Sequence, residues 1–218
     1  NSRDGPIIMK EVKAFSNSRA QSFLALIVSA VLIMINVVRI LRVPITFDEP
    51  CYERTETYWQ LMMNGWGHAN NHVLHSILRK FFVEFISYNT FTMRLDNLIA
   101  LVLFLIFAWL LCGYLFSNKW WRLGSFIFLN TASPYLFEFW GLSRGYGLAL
   151  MFMMASVFYF VRYLKDQNIL HLALAFITAG LAVYSNFSYL NYYASLTGTL
   201  FIIDLLYLKE QRKKFKIV

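Results

Sequence analysis

Apolar runs long enough to cross a bilayer recur along this chain, and that repetition restricts the fold more than any other feature. About 20 apolar residues cover the hydrocarbon layer, and sliding hydropathy finds about six such candidates, at 23–41, 95–116, 123–139, 145–163, 170–184 and 189–208. The fifth is the shortest. With 58% hydrophobic and only 15% charged residues, and a mean hydropathy of +0.50, the chain is too apolar for a water-soluble domain. The expected class is all-α: a polytopic membrane protein with one transmembrane domain over 1–218. A first span at 22–41 is followed by a loop at 42–94, and five further spans occupy 95–208.

Basic residues supply an orientation, because Lys and Arg near span ends stay cytoplasmic. Lys10, Lys13 and Arg19 precede the first span. Lys119 and Arg122 join the second to the third, Arg162 and Lys165 join the fourth to the fifth, and Lys209, Arg212, Lys213, Lys214 and Lys216 follow the last. All fall on one face, so both ends of the chain are expected in the cytoplasm and the 42–94 loop outside it. The expected location is an inner (plasma) membrane, crossed several times. The net charge of +8 then reads as orientation and lipid contact, with no clustered patch for nucleic acid. No small-residue cleavage site follows the first apolar run before Arg39 and Arg42, so it reads as a retained anchor. Cys51 and Cys112 lie too differently in the chain to pair, and are expected as free thiols. A start without Met and an end in a basic stretch just after a span suggest the N-terminal part of a longer chain.

The outer loop has helical rhythm in two places. Tyr58, Leu61 and Met62 recur at helical spacing within 52–64. Over 72–85, Leu74, Ile77, Leu78, Phe81, Phe82 and Phe85 make a stripe opposite Arg79, Lys80 and Glu84, as in a helix lying flat at a membrane interface. Between the two runs Gly65-Trp66-Gly67-His68-Ala69-Asn70-Asn71-His72 reads as a polar turn. At the head of the loop stands an acidic pair, Asp48 and Glu49. Carboxylates at the mouth of a membrane domain mark candidate chemistry.

Four motifs follow one another in a distinctive order: Phe47-Asp48-Glu49 after the first span, Asn70-Asn71-His72-Val73-Leu74 opening the interfacial helix, Arg94-Leu95 entering the second span, and Leu142-Ser143-Arg144-Gly145-Tyr146-Gly147-Leu148 entering the fourth. Over about 45–159 this order resembles bacterial GT-C glycosyltransferases of the family 39 group, related to protein O-mannosyltransferases and the aminoarabinose transferase of lipid A. The resemblance implies a membrane enzyme that takes a sugar from a polyprenyl-phosphate carrier and passes it to an acceptor glycan, lipid or protein outside the cytoplasm. Asp96 stands where relatives commonly have proline, a departure that affects local packing.

By position in the family motif Asp48 is the candidate base, and Glu49 either shares the catalytic role or positions the acceptor or a divalent cation. Arg144 suits a phosphate, which a guanidinium holds with two parallel hydrogen bonds. Tyr146, Asn70, Asn71 and His72 offer hydrogen bonds to sugar or phosphate, while Gly145 and Gly147 permit close approach of a lipid chain or another backbone. Glu138 and Arg94 complete the candidate binding set; the competing readings are a Glu138–Arg144 interfacial pair and an Arg94–Asp96 salt bridge. Metal use stays open, since Asp48, Glu49 and His72 offer oxygen and imidazole ligands without the spacing of a preformed site. Outside this class, a transporter or flippase of a lipid-linked substrate would use Arg144 and Glu138 to line a path, although no matching broken spans are seen. An inactive membrane scaffold is the third option.

Overall fold

The computed structural model describes residues 5–46, 49, 57–64 and 72–215. Every regular element among them is helical: α1 (Gly5–Arg42), α2 (Tyr58–Asn64), α3 (Val73–Phe85), α4 (Thr90–Met93), α5 (Leu95–Leu115), α6 (Lys119–Thr131), α7 (Pro134–Gly141), α8 (Tyr146–Asp166), α9 (Ile169–Ser185) and α10 (Leu190–Phe215), with a 3₁₀ turn at Phe187–Tyr189. The chain is an all-α membrane protein. Three helices are long and apolar enough to cross a bilayer, at Ala20–Arg42, Leu95–Leu115 and Tyr146–Asp166. The shorter apolar α9, at 17 residues, is about 25 Å long at 1.5 Å per residue.

The third expected span, 123–139, is not one helix. Ser133 is extended and Pro134 is the first residue of α7, so α6 ends at Thr131 and the chain restarts in a new direction. Proline has no N–H to continue the α6 ladder, and its ring clashes with the preceding turn. Asparagine side chains begin several other elements: Asn89, Asn118, Asn168 and Asn186 each accept a backbone N–H from the turn that follows.

α8 is the centre of the bundle and lies against both α5 and α9. Phe104, Leu105, Ala108 and Leu111 of α5 meet Met151, Met154 and Phe158 of α8, with Phe126 of α6, Trp140 of α7 and Leu32 of α1 closing the core. On the other side of α8, Ala175, Ala179 and Ala182 form a fully buried small-residue stripe on α9, which lets the two helices approach closely where lipid supplies no hydrophobic drive. Ser156 donates to the Ala175 carbonyl at 2.7 Å and accepts from the Tyr192 hydroxyl at 2.8 Å, tying α8, α9 and α10 together. The outward faces carry Phe23, Leu26, Met34 and Leu41 of α1 and Phe201 and Leu206 of α10, all exposed. Apolar exposure on this scale is what helices surrounded by lipid present.

α3 follows the helical stripe expected over 72–85, and its packing turns the polar side inward. Val73, His75, Ser76 and Arg79 are buried, whereas Phe81 and Phe85 are exposed. α3 therefore presents aromatics outward and a polar ladder to the bundle. α2 begins at Tyr58 and packs on α3, where the Tyr58 hydroxyl donates to Glu84 at 2.7 Å.

Candidate functional site

Most of the predicted site residues that the structure describes gather at one end of the bundle, where α1 ends and α5 and α8 begin. α1 stops because Val43 precedes Pro44, and a residue before proline is driven out of the helical region. The chain then folds back in a tight turn: Glu49 N–H donates to the Thr46 carbonyl at 2.9 Å, and Glu49 Oε1 accepts from Thr46 N–H at 3.1 Å and from its hydroxyl at 3.2 Å. The second of these three bonds is one half of a capping box.

Glu49 is buried, and Arg94, at the junction of α4 and α5, is wholly buried beside it. Arg94 Nε donates to Glu49 Oε2 at 2.9 Å and Nη2 to Oε1 at 2.5 Å. The remaining guanidinium hydrogens go to the carbonyls of Ile40, Val43 and Pro44 at 2.9–3.1 Å, so all five donors are spent. Glu49 Oε2 also accepts from Ser143 N–H at 3.0 Å. Burial pushes the Glu49 carboxyl up, but Arg94 and the backbone amides of Thr46 and Ser143 outweigh it and hold it below the ordinary range.

These contacts revise several expectations. Glu49, expected at the reacting centre, has both oxygens occupied and joins three segments of backbone. Arg94, expected to bind substrate, has no hydrogen left to offer one. The Arg94–Asp96 salt bridge is absent: Arg94 pairs with Glu49 and Asp96 with His75. Residues two apart at a helix start point to different sides, so Arg94 and Asp96 do not face one another and each takes its partner from another element. As a metal ligand Glu49 does not fit, because each oxygen already faces polar hydrogens; among the described residues no group of three His, Cys, Asp or Glu side chains gathers. Glu138, a candidate binding residue, is exposed on α7. Asp48, Asn70 and Asn71 lie outside the described residues, as does Cys51; Cys112 is free and buried.

A second ladder fixes the 142–145 segment. Asn97 Nδ2 donates to the carbonyls of Leu142 and Arg144 at 2.6 and 2.8 Å. Ser143 Oγ donates to the Met93 carbonyl at 2.9 Å, and His75 Nε2 is 3.1 Å from the same Oγ, while His75 Nδ1 contacts Asp96. Ser143 has one hydroxyl hydrogen, and Met93 receives it, so His75 Nε2 is the donor in their bond. Asp96, His75 and Ser143 thus have the order of a nucleophilic triad, but all three are buried and the serine hydrogen is committed elsewhere. They act as a brace between α3, α5 and the α7–α8 connection.

Beside the brace lies a more open cluster. His72 precedes α3 without capping it, and its Nδ1–H donates to the Ser185 carbonyl at 3.1 Å. Tyr146 stands edge-on to His72 with ring centres 5.1 Å apart and stacks on Phe139 at 4.9 Å. The Arg144 guanidinium lies 5.9 Å from the Tyr146 ring centre. Burial, then the field of His75 and finally that of Arg144 push the His72 pKa down to about 4, against the opposing bond to Ser185. His72 is therefore a neutral imidazole at ordinary pH.

No family model, curated protein or solved structure matches the chain.

Sequence reasoning missed His75, Asp96, Asn97 and Ser143 as site-forming residues. A signal was present for two of them: His72, His75, Ser76 and Arg79 recur at helical steps of three and four, a polar ladder opposite the aromatic stripe. Asp96 was visible as the odd carboxylate after Arg94. Its partner, 21 residues back along the chain, was not.

Proposed function

We propose that this chain belongs to a membrane-embedded glycosyltransferase of GT-C type, moving a sugar from a polyprenyl-phosphate donor to an envelope acceptor. The observation that carries the reading is the bond between Glu49 Oε2 and Ser143 N–H, 94 residues apart in sequence. It joins the acidic segment after α1 to the segment bearing Arg144 and Tyr146. Asp48 directly precedes Glu49 and Arg144 directly follows Ser143, so the expected base and the expected phosphate contact belong to two segments joined by a buried hydrogen bond.

In this mechanism the acceptor oxygen or nitrogen gives its proton to Asp48 and forms the new bond to the anomeric carbon. The bond from that carbon to the carrier phosphate breaks, and the phosphate leaves with the electron pair. Arg144 meets the charge that grows on the leaving phosphate. Glu49 and Arg94 supply rigidity rather than chemistry. The site end faces the extracytoplasmic side of a bacterial plasma membrane in this reading, which the basic connections at Lys119, Arg122, Arg162 and Lys165 on the opposite end support.

The test uses the full-length protein in liposomes with a polyprenyl-phosphate hexose and labelled acceptors. Asp48→Asn is expected to lower transfer by about 100-fold or more with insertion and melting unchanged. Full activity in that variant removes Asp48 from the mechanism. Movement of the sugar across the bilayer without a new glycosidic bond overturns the transferase reading in favour of a transporter.

A further inference from the structure

An unused acceptor and an unused donor flank the Ser185 peptide. Because His72 Nδ1 carries the hydrogen given to the Ser185 carbonyl, the neutral ring keeps a lone pair on Nε2, and among the described residues nothing hydrogen-bonds to it. Asn186, the next residue after Ser185, uses its Oδ1 to accept from Ser188 N–H at 3.0 Å. Its Nδ2 has no hydrogen-bond partner, although the residue is only 2% exposed. A buried amide hydrogen left without a partner is costly, so such groups in a native fold call for an explanation.

The framework around this pair is tight. A Cβ on Gly145 would lie 1.9 Å from the Ser185 carbonyl oxygen and 2.9 Å from His72 Cβ, so three separate segments of the chain approach closely there. Tyr146 and Phe139 provide stacked aromatic surface next to the imidazole, and Arg144 reaches over the Tyr146 ring. Few polar groups set in aromatic surroundings fix the orientation of a ligand. A hydroxyl group complements this pair, since it has one hydrogen to give and lone pairs to receive one.

We propose that His72 and Asn186 read one hydroxyl of the lipid-linked sugar, which donates to His72 Nε2 and accepts from Asn186 Nδ2, beside the phosphate contact at Arg144. The assignment rests on the transferase reading above and names the part of that site that selects the sugar. His72 and Asn186 are positioning residues for specificity; the chemistry stays with Asp48.

Two near-isosteric variants test it. His72→Asn keeps a donor for the Ser185 carbonyl and lacks the Nε2 acceptor, and Asn186→Asp keeps the oxygen that caps Ser188 and lacks the donor. Binding to the full-length protein is measured without acceptor, using a polyprenyl-phosphate hexose and the same polyprenyl phosphate without sugar. Each variant is expected to weaken binding of the sugar-bearing lipid about tenfold, with the bare lipid phosphate bound as in the wild type. Unchanged binding of the hexose lipid in both variants overturns the pair, whether or not transfer occurs. Equal loss for both lipids also overturns it, because the residues then serve the phosphate or the fold. Selective loss of the hexose lipid in a protein that forms no glycosidic bond keeps the pair and removes the transferase.

Discussion

The two ends of the bundle handle charge in opposite ways. Where α5 begins, Arg94 and Glu49 are buried together, every guanidinium hydrogen is spent, and His75, Asp96, Asn97 and Ser143 interlock beside them. Where α5 ends, cations rest on aromatic rings and carbonyls at the rim. Arg122 lies 3.8 Å over the Trp109 ring, and Lys165 lies 4.2 Å over Tyr114 while donating to its carbonyl at 2.8 Å. Arg162 approaches the Phe158 ring at 5.7 Å, and Asp166 pairs with His171 at 2.8 Å. The first arrangement tolerates no displacement, because a desolvated charge that loses its partner is stranded. The second keeps Lys165 exposed in the last turn of α8, where a cation is favoured and small shifts are cheap. Arg122, in the first turn of α6, rests on a ring and leaves its Nε without a hydrogen-bond partner among the described residues. Rigidity is concentrated at the end that holds the candidate site.

The sharpest way to break the comparison is Arg94→Met. Glu49 would then stay buried without a counter-charge, and the carbonyls of Ile40, Val43 and Pro44 would lose their donors. The expected loss is about 3–5 kcal/mol, read as a fall in the thermal unfolding midpoint in detergent. Adding Glu49→Met is expected to recover part of that loss, since it removes the stranded carboxylate. A single variant that melts like the wild type would dissolve the distinction between the ends.

Arg94 also shows how much of this molecule was legible in its sequence. The apolar runs at 95–116, 145–163 and 170–184 are the helices α5, α8 and α9 within a few residues, because span length and hydropathy are local properties. The aromatic stripe over 72–85 is α3 for the same reason. The break at Pro134 is equally local, but hydropathy alone does not show it because the run on either side is apolar. Partner choice is not local. Arg94 met a carboxylate 45 residues away instead of the one two residues on, and only the packing of α1 against the start of α5 decides that. The convergence of His72 with Ser185, 113 residues apart, is of the same kind.

Gly145→Ala is the next largest test. Its Cβ would meet backbone oxygen at 1.9 Å, and the Ser185 peptide is itself held by α9, so the clash cannot be relieved by turning a side chain. A loss of about 3 kcal/mol is expected, again as a lowered unfolding midpoint. By contrast, Gly180 in α9 has nothing within 4 Å of an added Cβ. Gly180→Ala is expected to raise stability by about 0.4–1 kcal/mol through the unfolded chain.

Acid should weaken the site end through His72. Its pKa falls from 6.5 to about 4 on folding, so below pH 6.5 the unfolded chain takes up a proton that the folded ring refuses. Stability attributable to this group is complete above pH 6.5 and declines as pH drops toward 4, by about 3 kcal/mol in all. His75 and Arg144 set the field the ring feels, and Tyr146 stands edge-on to it. Comparing unfolding midpoints at pH 7 and pH 4.5 isolates the effect, because His72→Asn should lose less between the two than the wild type. Equal losses would mean that the imidazole is not desolvated in the membrane-bound protein.

The smallest effect belongs to the other end, at Gly113. A Cβ there would come within 2.7–2.9 Å of the Arg122 guanidinium, a distance as unfavourable on paper as several at the site end. The obstacle is the tip of a flexible side chain, not backbone. Arg122 can swing off Trp109 toward the rim, giving up a cation–π contact of about 0.5–2 kcal/mol and the weak bond from Nη2 to the Trp109 carbonyl at 3.5 Å. Replacing glycine inside α5 returns about 0.5–1 kcal/mol of helix propensity. Gly113→Ala should therefore change stability by about 1 kcal/mol or less, against the threefold larger loss at Gly145. If the two alanines cost the same, the rim cations are fixed as firmly as the buried pair, and the contrast between the ends is one of exposure alone.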